Sequence, residues 1–135
     1  MKREIEFRGK TEKGEWVYGN LFQTEKWANI LTVTNFANEK SVEYEQYKVI
    51  PETVGQYTGI KDKNGKKVYE GDIVYIKFQE PTSKVTGEKP IYTIIFEKGC
   101  FSLFRKTNRI VVFDLRVWYK ECEVIGNIFD KVGEK

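Results

Sequence analysis

The sequence predicts an all-β, mainly antiparallel fold of the small-barrel, SH3-like kind, with one or two short helical turns. Three observations lead there. Valine (13) and isoleucine (12) far outnumber leucine (4) and alanine (2), and 20 aromatic residues accompany them. Leucine and alanine favour helices, whereas β-branched and aromatic side chains suit a pleated, half-buried surface. Apolar residues recur at every second position in short runs, and glycine, proline and asparagine punctuate those runs. Closure into barrels is expected because it limits exposed strand edges.

The strands follow in order. Ile5 and Phe7 alternate with Glu4, Glu6 and Arg8. A polar connection over 9–14 leads to a second strand over 16–22, completing a hairpin. Residues 28–34 and 41–50 are the third and fourth strands, with 35–40 turn-like between them. Pro51 fixes φ and Gly55 allows reversal, so 51–55 reads as a single helical turn or tight loop. Residues 56–60 and 67–70 flank Asn64-Gly65, a dipeptide whose members tolerate the positive φ of a hairpin turn. Gly71-Asp72 turns into a strand over 73–78. Residues 79–90 hold two prolines, a glycine and polar side chains, and read as the longest loop. A central strand over 91–96 turns at Lys98-Gly99 into 100–104, and another strand covers 110–113. Residues 114–123 fit either a short helix or a strand, and 124–129 form the last strand. Residues 1–135 make one domain. If it divides, it does so within 51–59, into an N-terminal β lobe over 1–50 and a C-terminal barrel lobe over 60–130.

Composition removes much chemistry. The chain has no histidine, so neither a Ser-His-Asp nor a Cys-His site can be built, nor a histidine-ligated zinc. Cys100 and Cys122 lack Cys-x-x-Cys spacing, and two cysteines cannot supply a four-cysteine metal site. They read as small apolar residues in a reducing compartment, with a disulfide between them left open. No phosphate-binding glycine loop of the Walker or dinucleotide type is present, and no cofactor is expected. The 23 basic and 20 acidic residues interleave, a solvated surface with a net charge of +3. No run approaches the ~20 apolar residues of a membrane helix. The first residues alternate charged and apolar where a signal peptide needs an apolar run. The expectation is a cytoplasmic protein that does not engage membranes.

Three motifs hold chemistry worth weighing. Asp62-Lys63-Asn64-Gly65 looks like part of a calcium loop, but its glycine comes too early and strands surround it, so a hairpin turn is favoured. Glu70 and Asp72 flank Gly71, and such a carboxylate pair could hold magnesium for metal-assisted hydrolysis or serve as turn formers. Lys98, Arg105, Lys106 and Arg109 surround Phe101 and Phe104. Cations for phosphate with aromatics for base stacking is how single-strand binders work, although aromatics on alternating strands usually face the core. Trp16, Trp27 and Trp118 suit core or interface, Trp27 being the most exposed of them.

Collinear segments resemble one known family. They are Arg3-Glu4-Ile5-Glu6-Phe7-Arg8, Gly14-Glu15-Trp16-Val17-Tyr18-Gly19, Glu52-Thr53-Val54-Gly55-Gln56-Tyr57-Thr58-Gly59, Lys61-Asp62-Lys63-Asn64-Gly65, Val68-Tyr69-Glu70-Gly71-Asp72-Ile73-Val74 and Val124-Ile125-Gly126-Asn127-Ile128. Together they resemble the YopX family of phage- and prophage-encoded proteins over residues 3–129, departing from it at 79–90 and 100–123. The resemblance implies a mainly β fold, phage or prophage origin and a place in the host cytoplasm. It implies no reaction and no catalytic residues. Its motif residues Gly55, Tyr57, Gly59, Asp62, Gly65, Tyr69, Gly71, Asp72, Gly126 and Asn127 look architectural. The functional expectation is a non-enzymatic module for protein binding or self-assembly, with nucleic-acid binding at 98–109 and hydrolysis at Glu70 and Asp72 as alternatives.

Overall fold

The computed structural model describes residues 3–38, 40–76, 91–105, 110–114 and 119–130. These hold β1 (Phe7–Lys10), β2 (Trp16–Gln23), β3 (Ala28–Asn38), β4 (Ser41–Val49), β5 (Gly55–Lys61), β6 (Lys67–Tyr69), β7 (Asp72–Ile76), β8 (Ile91–Glu97), β9 (Cys100–Arg105), β10 (Ile110–Asp114) and β11 (Cys122–Asn127). Two 3-10 turns, Pro51–Thr53 and Tyr119–Glu121, are the helical elements among the described residues. The all-β, antiparallel expectation therefore holds. The expected loop over 79–90 lies outside the described residues, as does Trp118.

The expected barrel does not form. One sheet has strand order β4-β3-β2-β1-β5-β6 and the other β10-β9-β8-β7-β11, and neither joins its two outermost strands. Closure requires strand tilt and shear to bring those edges together. In the first sheet the chain does something else. β2 pairs with β3 only from Ala28 to Leu31, while β3 and β4 stay paired out to Asn38 and Ser41. The hairpin thus runs past its neighbour as a two-stranded arm.

The chain forms two compact units that part between Tyr57 and Thr58. In the first, Ala28, Ile30 and Val49 are buried, with Phe7, Val17, Leu21 and Val54 packed against them. Gly9 gives Val49 its space, since a Cβ there would lie 2.7 Å from Val49 Cγ2. The buried Thr53 hydroxyl accepts from the Lys10 amide (2.8 Å) and donates to the Ile50 carbonyl (2.6 Å), fastening the first 3-10 turn to β1. In the second unit Val68, Val74, Ile76, Tyr92, Ile94, Leu103 and Cys122 are buried, with Ile60, Phe101 and Val124 against them.

Candidate interaction surface

The basic and aromatic residues singled out over 98–109 do not share a face. Lys98 is exposed at the β8–β9 turn, with a φ of 51°. Phe101 pairs with Phe96 and packs on the core of the second unit, on the same side of β9 as Leu103 and Arg105. The Arg105 guanidinium lies 5.9 Å from the centre of the Tyr92 ring. Alternation sends Phe104 to the opposite side, with Ser102 and Cys100. Lys106 and Arg109 lie outside the described residues. Phe101 and Phe104 therefore cannot form one stacking platform.

Glu70 and Asp72 are likewise not a matched pair. Asp72 is buried and one of its carboxylate oxygens accepts from the Tyr69 amide at 2.7 Å, while Glu70 is half-buried. Among the described residues no group of three or more acidic or cysteine side chains is placed to hold a metal ion. The Asp62 carboxylate is spent on backbone too. One oxygen accepts from Asn64 and Lys66 at 2.9 Å, and the other from Val124 at 3.0 Å. Gly65 takes a φ of 82° at this hairpin turn. Gly59 and Gly71 also have positive φ, whereas Gly55 sits in β5 opposite Arg8. Tyr57 donates its amide to the Glu6 carbonyl. Asn127 donates from its side chain to Asp130 at 2.6 Å, and a Cβ on Gly126 would lie 3.2 Å from that carboxylate.

The two cysteines are both free thiols. Cys100 is half-buried, its sulfur 3.4 Å from Ser102 Oγ. Cys122 is fully buried, and burial first, then the charges of Asp62 and Asp72, push its thiol up to about 12 despite Lys63. The unfolded chain sheds this proton near the ordinary thiol value of about 8.5. The contribution to stability is therefore whole below that pH and declines as pH rises toward 12. At pH 8, a disulfide-exchange reagent is expected to label one thiol per native chain and two once denatured. Two labelled native thiols would contradict the burial of Cys122.

What the structure does bring together is a set of exposed apolar side chains on the first sheet. On β4, Val42 and Tyr44 share a face, and their partners on β3 are Phe36 and Val33. A bulge between Val33 and Asn35 shifts the phase of β3, so residues three apart lie on one side. The same face continues onto β2 at Tyr18 and Phe22 by alternation. Phe22 rests against half-buried Trp27, ring centres 5.4 Å apart. Tyr18, Phe22, Val33, Phe36, Val42 and Tyr44 are all exposed, from 39% for Val42 to 64% for Phe36. None carries a formal charge, while exposed Lys48, opposite Asn29, stands on the same face at its edge. Glu43 and Glu45 project from the opposite face of the arm, where Glu45 accepts from the Tyr47 hydroxyl. That hydrogen bond raises the Tyr47 pKa.

Comparison with known proteins finds a family and a fold. The profile of the YopX protein family matches residues 6–132. Among solved structures, the crystal structure of protein EF1440 from Enterococcus faecalis superposes with a TM-score of 0.58 and 23% sequence identity, over 95% of this chain and 95% of that one. At that identity the likeness is one of fold. No curated protein sequence matches.

Proposed function

The chain belongs to the YopX family of phage and prophage proteins, and on that premise we propose that it is a non-enzymatic module working by protein association in the bacterial host cytoplasm. The uncharged face of the β3–β4 arm carries this reading. Water-exposed apolar patches on monomers seldom exceed a few hundred Å², and larger ones mark interaction sites. A two-stranded hairpin is marginal alone in water. The apolar pairs Val33–Tyr44 and Phe36–Val42, standing beyond the stretch of β3 that pairs with β2, gain most if another surface covers them. Of the two carboxylates weighed as catalytic, Asp72 is buried and holds the turn at Tyr69.

The test compares the wild-type chain with Phe36→Arg, a change on the exposed arm away from both cores. The wild-type protein is expected to self-associate, or to retain a phage or host protein that the variant loses at least tenfold. If it does neither, or if it turns over a substrate, the reading fails. Fluorescence anisotropy at low salt with single-stranded DNA and RNA is a companion measurement. Phosphate-driven binding would be strong there and fall steeply with salt. No association is expected, because Phe101 and Phe104 face opposite sides of β9.

A further inference from the structure

We infer that the occupant of this face is a second copy of the chain, docked face to face across a two-fold axis to form a dimer through the β3–β4 arms. The inference rests on the reading above and names its partner. Area and charge together support it.

Area comes first. An aromatic side chain buries about 150–250 Å² when fully covered. Tyr18, Phe22, Phe36 and Tyr44 are each near half exposed, and Val33 and Val42 add smaller shares. The face thus offers on the order of 500 Å² of apolar surface per chain. A standard interface buries about 800 Å² per partner, and homodimer interfaces are about 65% apolar. An apolar centre of this size, rimmed by Asn20, Asn29, Gln46 and exposed Lys48 on the same face, therefore has the dimensions and composition of a stable homodimer interface.

Charge decides how the copies meet. A two-fold interface is isologous, so each patch must complement itself. An uncharged centre over Val33, Phe36, Val42 and Tyr44 meets its own copy without burying an unpaired charge, which would be costly, and exposed Lys48 stays at the rim in water. The rival arrangement pairs β4 of one copy with β4 of the other along the sheet edge. Centred on the arm, that pairing sets Glu43 and Glu45 opposite or diagonal to the same residues of the second copy, and like charges so placed destabilise a strand pair. The glutamates thus close the edge and leave the face.

Light scattering coupled to size exclusion measures the assembly directly. The wild-type protein is expected at twice the 15.9 kDa chain mass. Phe36→Arg and, independently, Tyr44→Arg are expected at the single-chain mass with unchanged far-ultraviolet circular dichroism. The double change Glu43→Gln, Glu45→Gln is expected to leave the dimer as it is. A wild-type mass other than two chains overturns the inference, as does a dimer that survives both arginine substitutions. Larger or tighter assemblies on removing the glutamates would mean edge pairing and would overturn it as well. A monomeric wild type that still loses a captured partner on Phe36→Arg would sink the dimer and spare the association reading. A monomer with no such capture would sink both.

Discussion

Replacing Asp62 with alanine is expected to lower the free energy of unfolding by about 3 kcal/mol, a large part of the 5–15 kcal/mol typical of a whole protein. Its carboxylate is the shared acceptor for three backbone amides, those of Asn64, Lys66 and Val124. Hydrogen bonds to a charged group contribute roughly 1.5–3 kcal/mol each, but these are not additive. Asn64 and Lys66 are exposed and can turn to water, so most of the loss falls on half-buried Val124. That bond joins the 62–66 turn to β11, beside a second link from the Lys63 amide to the Cys122 carbonyl at 3.0 Å. Asp62→Asn keeps one acceptor oxygen and turns an amide toward a donor, so it should cost about 1–2 kcal/mol. Urea titration of the three proteins measures the series, and hydrogen exchange at Val124 should quicken most in the alanine variant. Equal stability of Asp62→Ala and wild type would show that the carboxylate merely decorates the turn.

Asp62 also illustrates what the sequence carries and what it does not. That residues 62–65 turn was legible, because Asn64-Gly65 advertises positive φ locally. That the aspartate holds a strand 62 residues away was not, since nothing near Val124 records its partner. Strand identity was legible almost everywhere for the same reason: alternation and punctuation are local. Barrel closure was not. Whether the outer strands meet depends on accumulated tilt and register across a sheet, and no single strand encodes that. The arm slipped past for a sharper reason. Phe36 stands three residues after Val33, which breaks period-two alternation, so 35–40 looked like a turn. The bulge restores both residues to one face, and only the register against β4 reveals it.

The candidate surfaces divide along the same line. Over 98–109, composition correctly identified cations beside aromatics, but function there needs them on one side of a strand. Phe101 and Phe104 are three apart on a regular strand with no bulge between them, so they point oppositely. On β3 the same spacing, with a bulge, puts Val33 and Phe36 together. One inserted residue separates a split cluster from a contiguous face. The signal available in advance was on β4, where Val42 and Tyr44 alternate with Glu43 and Glu45 over a stretch too polar on one side, and too apolar on the other, to be a plain core strand.

Gly19→Ala should be the other severe substitution, costing about 4 kcal/mol or more, in the tail reserved for backbone and core disruption. A Cβ on Gly19 would lie 2.1 Å from the Leu31 carbonyl oxygen and 3.3 Å from Thr32 Cα. Neither atom is the end of a flexible side chain. Leu31 is held on both sides, opposite Asn20 on β2 and Gln46 on β4. Gly19 stands where β2 changes partner: residues up to it pair with β1, and Asn20 onward with β3. The Thr32 hydroxyl marks the same junction, donating to the Tyr18 carbonyl at 2.7 Å as β3 leaves β2 for the arm. Relief of the clash must therefore part β2 from β3, and with it the Leu21–Ile30 pairing that carries core side chains. Gly65→Ala is the matched control. Its φ of 82° disfavours a side chain, yet nothing lies within 4 Å of the added Cβ, so only the conformational cost of about 1–2 kcal/mol applies. Urea unfolding should separate the two variants by at least about 2 kcal/mol. Because Leu31 sits at the root of the arm, Gly19→Ala should also abolish the dimer while Gly65→Ala keeps it. Equal losses of stability in the two variants would mean that β2 and β3 can part at Gly19 without cost, and that the arm is not anchored there.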